Sequence, residues 1–268
     1  MVAITMSTLK DKRFLVTGGG TGIGKACAAR LAADGATVTI TGRTAANLEN
    51  ALADIRSKSL PGDVHALTGD VTSEEDVLAM IAQACGDEGQ LHGVIANAGG
   101  GGIPMAYGNV DTAEFTRVLN LNVLGTLHCL KHSITPMLAA GGGAFIGMSS
   151  LAGHITHPYF HAYCAGKAGI EAMIRNAADE YGEKGLRFNA IRPGFIATEI
   201  MAGIPEDSDV YRSYIENTPM RGVGEPEDVA ELARFLIGPE ARWITGQCIN
   251  IDGGHSLRRG PDFSSFVG

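Results

Sequence analysis

The chain has 268 residues, a formal net charge of -8, and hydrophobic and charged fractions of 45% and 19%. The acidic balance argues against nucleic acid as the main partner, and a chain this long buries roughly three quarters of its unfolded surface without disulfide staples. No run of about eighteen apolar residues marks a membrane span, and residues 1–8 lack a signal-peptide core and read as a dispensable lead-in.

Arg13 to Thr17 is a short apolar run and predicts a buried strand. It enters a glycine turn, Thr17-Gly18-x-x-x-Gly22-x-Gly24, followed by a stretch of helix composition from Lys25 to Ala33. Strand, glycine turn and helix together suit a pyrophosphate laid against bare backbone and free helix N–H groups. A second strand is expected over residues 37–41, and Gly42-Arg43-Thr44 follows it. An acidic residue here would grip the 2′-hydroxyl of an NAD ribose, and none is present. Gly42 leaves room and Arg43 suits a 2′-phosphate, so NADP(H) is expected over NAD(H). The plain alternative is a solvated surface arginine.

Residues 44–58 read as a helix and 63–71 as a third strand with Asp70 near its end. Asp70 reads two ways, as an adenine contact or as a turn residue. Residues 73–86 predict a helix capped by Ser73 with Asp76 three positions on. A fourth strand over 92–96 runs into Asn97-Ala98-Gly99 and glycines through Gly102. That leaves cofactor space against backbone, while Asn97 reads equally as a strap between strands.

Residues 111–139 predict one long apolar-periodic helix containing Asn122 among leucines, where an amide needs a buried partner. A fifth strand over 142–149 delivers Ser150, and a helix carrying Tyr163 runs to about residue 183. Tyr163 and Lys167 are four apart, which puts them on one helix face. A phenol has an ordinary pKa of about 10. A cation about 4 Å away is worth roughly 4 kcal/mol at an effective dielectric near 20, enough to bring the phenol to roughly pH 7 and poise it for proton exchange with a carbonyl or alcohol oxygen.

A sixth strand is expected over 186–192, then Pro193-Gly194 with Ile196 and Thr198. Residues 195–221 are polar and uneven and suit a substrate lid. An acidic, proline-led helix starts at residue 225, a last strand lies near 247–252, and a tail covers 255–268. His154, His157 and His161 read as solvated loop histidines rather than a metal set. The five Cys (27, 85, 129, 164 and 248) are scattered without a C-x-x-C pair, which suggests reduced thiols in a reducing, cytoplasmic compartment. Alternating strands and helices predict a parallel α/β sheet covered on both faces, without a linker or repeat.

Over residues 10–254 these motifs resemble the short-chain dehydrogenase/reductase family: the glycine turn, Asp70-Val71, Asn97-Ala98-Gly99, Asn122, Ser150 with Tyr163-x-x-x-Lys167, Pro193-Gly194 with Thr198, and Asp252-Gly253-Gly254. The resemblance implies a single Rossmann-like, doubly wound domain of about seven parallel strands, assembled as a homotetramer or homodimer; no metal is expected, since the residues show no ligand set. It implies Tyr163 as general acid/base, Ser150 on the carbonyl oxygen, Lys167 on the nicotinamide ribose and Asn122 holding a relay water. Ser150 is preferred over Ser149 because it stands thirteen residues before Tyr163 and opens S-x-x-G. Cofactor contacts are expected from Gly18, Thr21, Gly22, Ile23, Gly24, Arg43, Asp70, Val71, Asn97, Ala98, Gly99, Tyr163, Lys167, Pro193, Gly194, Ile196 and Thr198. The expected activity is NADP(H)-dependent interconversion of a small-molecule ketone, such as a 3-oxoacyl thioester or steroid, and its secondary alcohol. The alternatives are a dienoyl-CoA-type C=C reductase and a non-catalytic NADP(H)-binding regulator.

Overall fold

The computed structural model describes residues 8–199 and 201–257. Seven strands form one parallel sheet: β1 (Arg13–Thr17), β2 (Thr37–Gly42), β3 (Asp63–Thr68), β4 (Gly93–Ala96), β5 (Gly143–Met148), β6 (Leu186–Pro193) and β7 (Cys248–Ile251). Their spatial order is β3-β2-β1-β4-β5-β6-β7. The chain therefore winds outward from β1 and then returns to the other side of it. The order reverses between β1 and β4, and the crevice at their carboxyl ends is where such sheets bind ligands.

The strands are apolar runs because helices cover both faces of the sheet. Along β1, Phe14 and Val16 pack into one core and Leu15 into the other, as the two-residue period of a strand requires. The first core lies under α1 (Gly22–Ala33), α2 (Ala45–Ser57) and α8 (Pro226–Ile237). The second lies under α3 (Glu74–Cys85), α5 (Gly125–Ala139) and α6 (His161–Tyr181). The expected Ser73 cap is present, its hydroxyl accepting from the Asp76 N–H at 3.2 Å. Pro226 opens α8, and the Asp228 carboxylate accepts from the Glu225 N–H at 2.8 Å.

The single helix expected over 111–139 is not continuous. It is α4 (Thr112–Leu119), a π turn (Asn120–Leu124) and then α5. The wider turn coincides with Asn122, which is fully buried and reaches across to the Gly100 backbone. Such single π turns recur at functional positions. Strand β3 ends at Thr68, so Asp70 lies in the following loop rather than in the strand. Between β6 and α8 the chain forms α7 (Asp209–Asn217). Of the tail, residues 255–257 form a short turn with His255 buried, and 258–268 lie outside the described residues. No helix among the described residues is long and apolar enough to cross a membrane.

Candidate active site

A cleft of about 620 Å³ opens at the carboxyl ends of the strands. Gly18, Thr21, Gly22, Ile23, Arg43, Asp70, Val71, Asn97, Ala98, Gly99, Ser150, Tyr163, Lys167, Pro193, Gly194, Ile196 and Thr198 all line it. Gly24 and Asn122 stand behind this wall.

The turn between β1 and α1 leaves helix N–H groups facing the cleft, since Thr21 makes no side-chain cap bond. An anion fits there, because a helix N-terminus carries free donors and a positive dipole. The Thr41 hydroxyl, buried in the same wall, has no hydrogen-bond partner among the described residues. A donor or acceptor on a bound dinucleotide would satisfy it. Arg43 is exposed at the mouth and engages no carboxylate among the described residues.

Two residues left open by the sequence prove to have structural partners as well as a place in the cleft. Asn97 donates to the Thr17 and Gly18 carbonyls at 3.1 and 3.2 Å, strapping β4 to β1. Asp70 accepts from the Thr72 N–H and hydroxyl, each at 2.9 Å, and so makes its own turn.

At the opposite end, Ser150 caps the short turn Leu151–Gly153 by accepting from the Ala152 N–H at 3.1 Å. Tyr163 and Lys167 share a face of α6, and the Lys167 ammonium lies 5.5 Å from the centre of the Tyr163 ring. That ammonium donates to the Met148 carbonyl at 2.8 Å. Lys167 is 3% exposed, and burial pushes its pKa down to about 8.

Tyr163 departs from the expectation of a phenol poised near neutrality. Burial raises its pKa above the ordinary value, and a hydrogen bond from Ser150 opposes that only in part. The ammonium donates to the Met148 carbonyl, and burial outweighs what lowers the phenol pKa.

The Asn122 side chain is anchored to neighbouring backbone. Its amide donates to the Gly100 and Val118 carbonyls at 2.9 and 2.8 Å, and its oxygen accepts from the Gly100 N–H at 3.3 Å. Both ends are therefore taken by backbone. A Cβ on Gly99 would stand 2.7 Å from the Asn122 oxygen and 3.1 Å from the Lys167 nitrogen, so only glycine lets this backbone pass between them.

Ser149 and Ser150 separate clearly. Ser149 is buried and donates to Glu171 at 2.8 Å, whereas Ser150 faces the Tyr163 phenol. Of the three histidines expected in a solvated loop, His154 is exposed and His157 lines the cleft, but His161 is the first residue of α6, half-buried and bonded to the Met105 carbonyl. Among the described residues no group of three or more His, Cys, Asp or Glu side chains is gathered as a metal would need.

No sequence motif singles out Phe160, Tyr214 or Glu199. Phe160 and Tyr214 line the Tyr163 end, and Tyr214 stacks on Phe195 with ring centres 4.4 Å apart. The Glu199 carboxylate accepts from the Gly22 N–H at 3.4 Å. The amphipathic spacing of Tyr211 and Tyr214 was the available signal for a packed helix in this segment.

Comparison with known proteins agrees with this geometry. The family model described as Enoyl-(Acyl carrier protein) reductase matches residues 18–256. A cis-4-hydroxycyclohexanecarboxylate dehydrogenase of Sinomonas cyclohexanicum is 34% identical over 90% of this chain and 95% of its own. A 7α-hydroxysteroid dehydrogenase of Escherichia coli K12 is 33% identical over 92% of this chain and 94% of its own. The solved structure of a short-chain type dehydrogenase/reductase from Mycobacterium ulcerans superposes with a TM-score of 0.90 at 41% identity, covering 97% of this chain and 95% of that one. By fold, site and sequence, the chain belongs to the short-chain dehydrogenase/reductase family.

Proposed function

We propose that this protein is an NADP(H)-dependent oxidoreductase that interconverts a ketone and a secondary alcohol, with Tyr163 as the acid/base. The observation that carries this reading is the meeting of Ser150, Tyr163 and Lys167 at the end of a cleft whose other end is a glycine turn. A nicotinamide dinucleotide held by the glycine turn and Lys167 would supply the hydride chemistry at the carbonyl carbon. Ser150 orients the carbonyl oxygen and Tyr163 gives it a proton. A phenol held above its ordinary pKa is protonated at neutral pH and so enters ketone reduction ready to donate. Lys167, still largely charged below pH 8, offers its N–H groups to the nicotinamide ribose. Asn122 contributes by holding the Gly99–Gly100 backbone against Lys167. Arg43, free of carboxylate partners among the described residues, supports the preference for a 2′-phosphate.

The chain acts as one domain, with residues 195–221 as its lid. The contact of Glu199 with Gly22 links that lid to the glycine turn, where an incoming pyrophosphate would compete for the same N–H. Phe160, Phe195 and Tyr214 make the substrate end apolar; of the Lys and Arg residues that line the whole cleft among the described residues, Arg43 lies at the cofactor mouth and Lys167 beside Tyr163. An uncharged ketone suits that wall better than a phosphate-bearing acyl carrier. The substrate alcohols named for the two dehydrogenase relatives support secondary-alcohol chemistry. Exposed Leu124, at the end of the π turn, and Leu127, in the first turn of α5, suit self-assembly into a homodimer or homotetramer, which light scattering would measure. Five free thiols support a reducing cytoplasmic setting.

The description of the matched family model favours a second reading, reduction of a conjugated C=C. A panel assay decides between them. Purified protein with NADPH or NADH is offered a cyclic ketone, a steroid ketone, an acetoacetyl thioester and an enoyl thioester while reduced-nicotinamide absorbance is followed. NADPH oxidation with a ketone is the expected result; oxidation with the enoyl thioester alone would establish the second reading. Tight NADPH binding without any turnover would point to a regulator.

A further inference from the structure

Behind the Ser150 turn lies a buried ion pair that the chemistry above does not use. Glu171 follows Lys167 by one helical turn on α6 and is 3% exposed. Arg192, near the end of β6, grips both its oxygens: Nε to Oε1 at 2.6 Å and a terminal nitrogen to Oε2 at 2.6 Å. Arg192 is held above its ordinary pKa, first by that hydrogen bonding. Bidentate pairing of this kind fixes direction as well as distance.

Glu171 has a further donor, the Ser149 hydroxyl at 2.8 Å. The same hydroxyl lies 3.2 Å from the Lys167 carbonyl, and the Ser149 N–H is tied to the Ile191 carbonyl at 2.8 Å. The turn bearing Ser150 is seated directly on this cluster. A Cβ on Gly153 would fall 2.9 Å from the Glu171 oxygen, 2.9 Å from the Ser149 hydroxyl and 3.0 Å from the Lys167 carbonyl carbon. Glycine in S-x-x-G therefore has a physical cause here: it lets the turn lie flat on the ion pair.

The arrangement also answers a question about charge. At four residues' spacing Glu171 is the natural carboxylate partner for Lys167. Both its oxygens face Arg192 and Ser149 instead, and the Lys167 ammonium goes to the Met148 carbonyl. Arg192 keeps the carboxylate occupied, so the lysine charge stays available to the cleft.

We propose that Glu171, clamped by Arg192, is a positioning residue that sets Ser150 and Lys167 through Ser149. This rests on the reading of Ser150, Tyr163 and Lys167 given above. A misplacement of about 1 Å can cost on the order of a hundredfold in rate, so a link that aims two of the three groups should show in turnover.

Ser149→Ala is the test, because it cuts the link and leaves the ion pair whole. Turnover number per NADPH-binding site is expected to fall about tenfold to a hundredfold. The KM for ketone should stay within about twofold, and the dissociation constant for NADPH should rise by much less than turnover falls, since Lys167 also holds the nicotinamide ribose. Glu171→Gln keeps an oxygen that accepts from Ser149, and per folded site it should retain more turnover than Ser149→Ala. Its melting temperature should fall, because Arg192 loses its charge partner. Wild-type turnover in Ser149→Ala, or loss of NADPH binding in step with loss of turnover, would overturn the proposal. A crystal structure of Ser149→Ala gives a readout that does not depend on the assigned reaction. Displaced Ser150 and Lys167 side chains would support positioning, and unmoved ones would overturn it. A wild-type protein inactive on every ketone would instead sink the proposed function, with that structure still deciding the cluster.

Discussion

Two cations are buried against the sheet, and they are treated in opposite ways. Arg234, on α8, is fully buried between the carboxylates of Asp34 and Glu240. Asp34 lies just beyond α1 and is also paired with Arg30 at 2.6 Å, so this network binds α1 to α8. Lys167, on α6, is 3% exposed and has a backbone carbonyl at 2.8 Å but no carboxylate among the described residues. Its pKa is pushed down to about 8 by burial alone. A buried charge without a counter-charge is costly. The contrast teaches that Arg234 serves the fold, while the uncompensated cost at Lys167 serves the cleft.

The sharpest test of this contrast is to remove each cation. Lys167→Met keeps the apolar stem and deletes the charge. Turnover should fall by at least about a hundredfold, as loss of a transition-state contact does. The same variant should melt higher than wild type at pH 7. A drop from 10.5 to about 8 corresponds to roughly 3 kcal/mol disfavouring the buried ammonium, at about 1.36 kcal/mol per unit. Arg234→Met should do the reverse. It removes the cation shared by two partly buried carboxylates, while Asp34 keeps Arg30, and should cost up to about 3–5 kcal/mol of stability, with turnover per folded molecule unchanged. Denaturant melts paired with NADPH-oxidation assays measure both.

A smaller effect comes from pH. Because the Lys167 pKa is lower in the folded state, the unfolded chain binds more protons between about pH 8 and 10.5. This group therefore adds stability as pH rises through that window, and its full cost is present below pH 8. The melting-temperature gap between Lys167→Met and wild type should accordingly close as pH rises through it. Ketone reduction should fall above about pH 8 as the ammonium is lost. A rate flat to pH 10 would detach Lys167 from the reaction. The smallest expected effect lies at the mouth of the cleft. Arg43→Ala should raise the KM for NADPH about tenfold and leave that for NADH nearly unchanged, through loss of one exposed charge-assisted contact. Equal changes would remove Arg43 from cofactor selection.

The same contrast explains what the sequence made legible. The Tyr163–Lys167 spacing, the glycine turn and every strand are local patterns, so β1 falls at Arg13–Thr17 as read and the cleft residues gather as the motifs imply. The π turn at Asn120–Leu124 was not legible, because the same leucines satisfy a continuous helical period. The direction of the Lys167 ammonium was not legible either, since spacing puts two side chains on one face without aiming them. The raised Tyr163 pKa follows from burial by distant segments, including the α7 region that carries Tyr214. Arg192 and Glu171 are 21 positions apart, and only the packing of β6 against α6 brings them together.

The most direct test of the central claim is NADPH oxidation with a ketone substrate by wild type and Tyr163→Phe, with NADPH binding measured on both. The account predicts a turnover loss of about 10²–10⁴-fold in the variant, the usual contribution of a positioned acid/base, with the NADPH dissociation constant within about twofold. Wild-type turnover in Tyr163→Phe would contradict it.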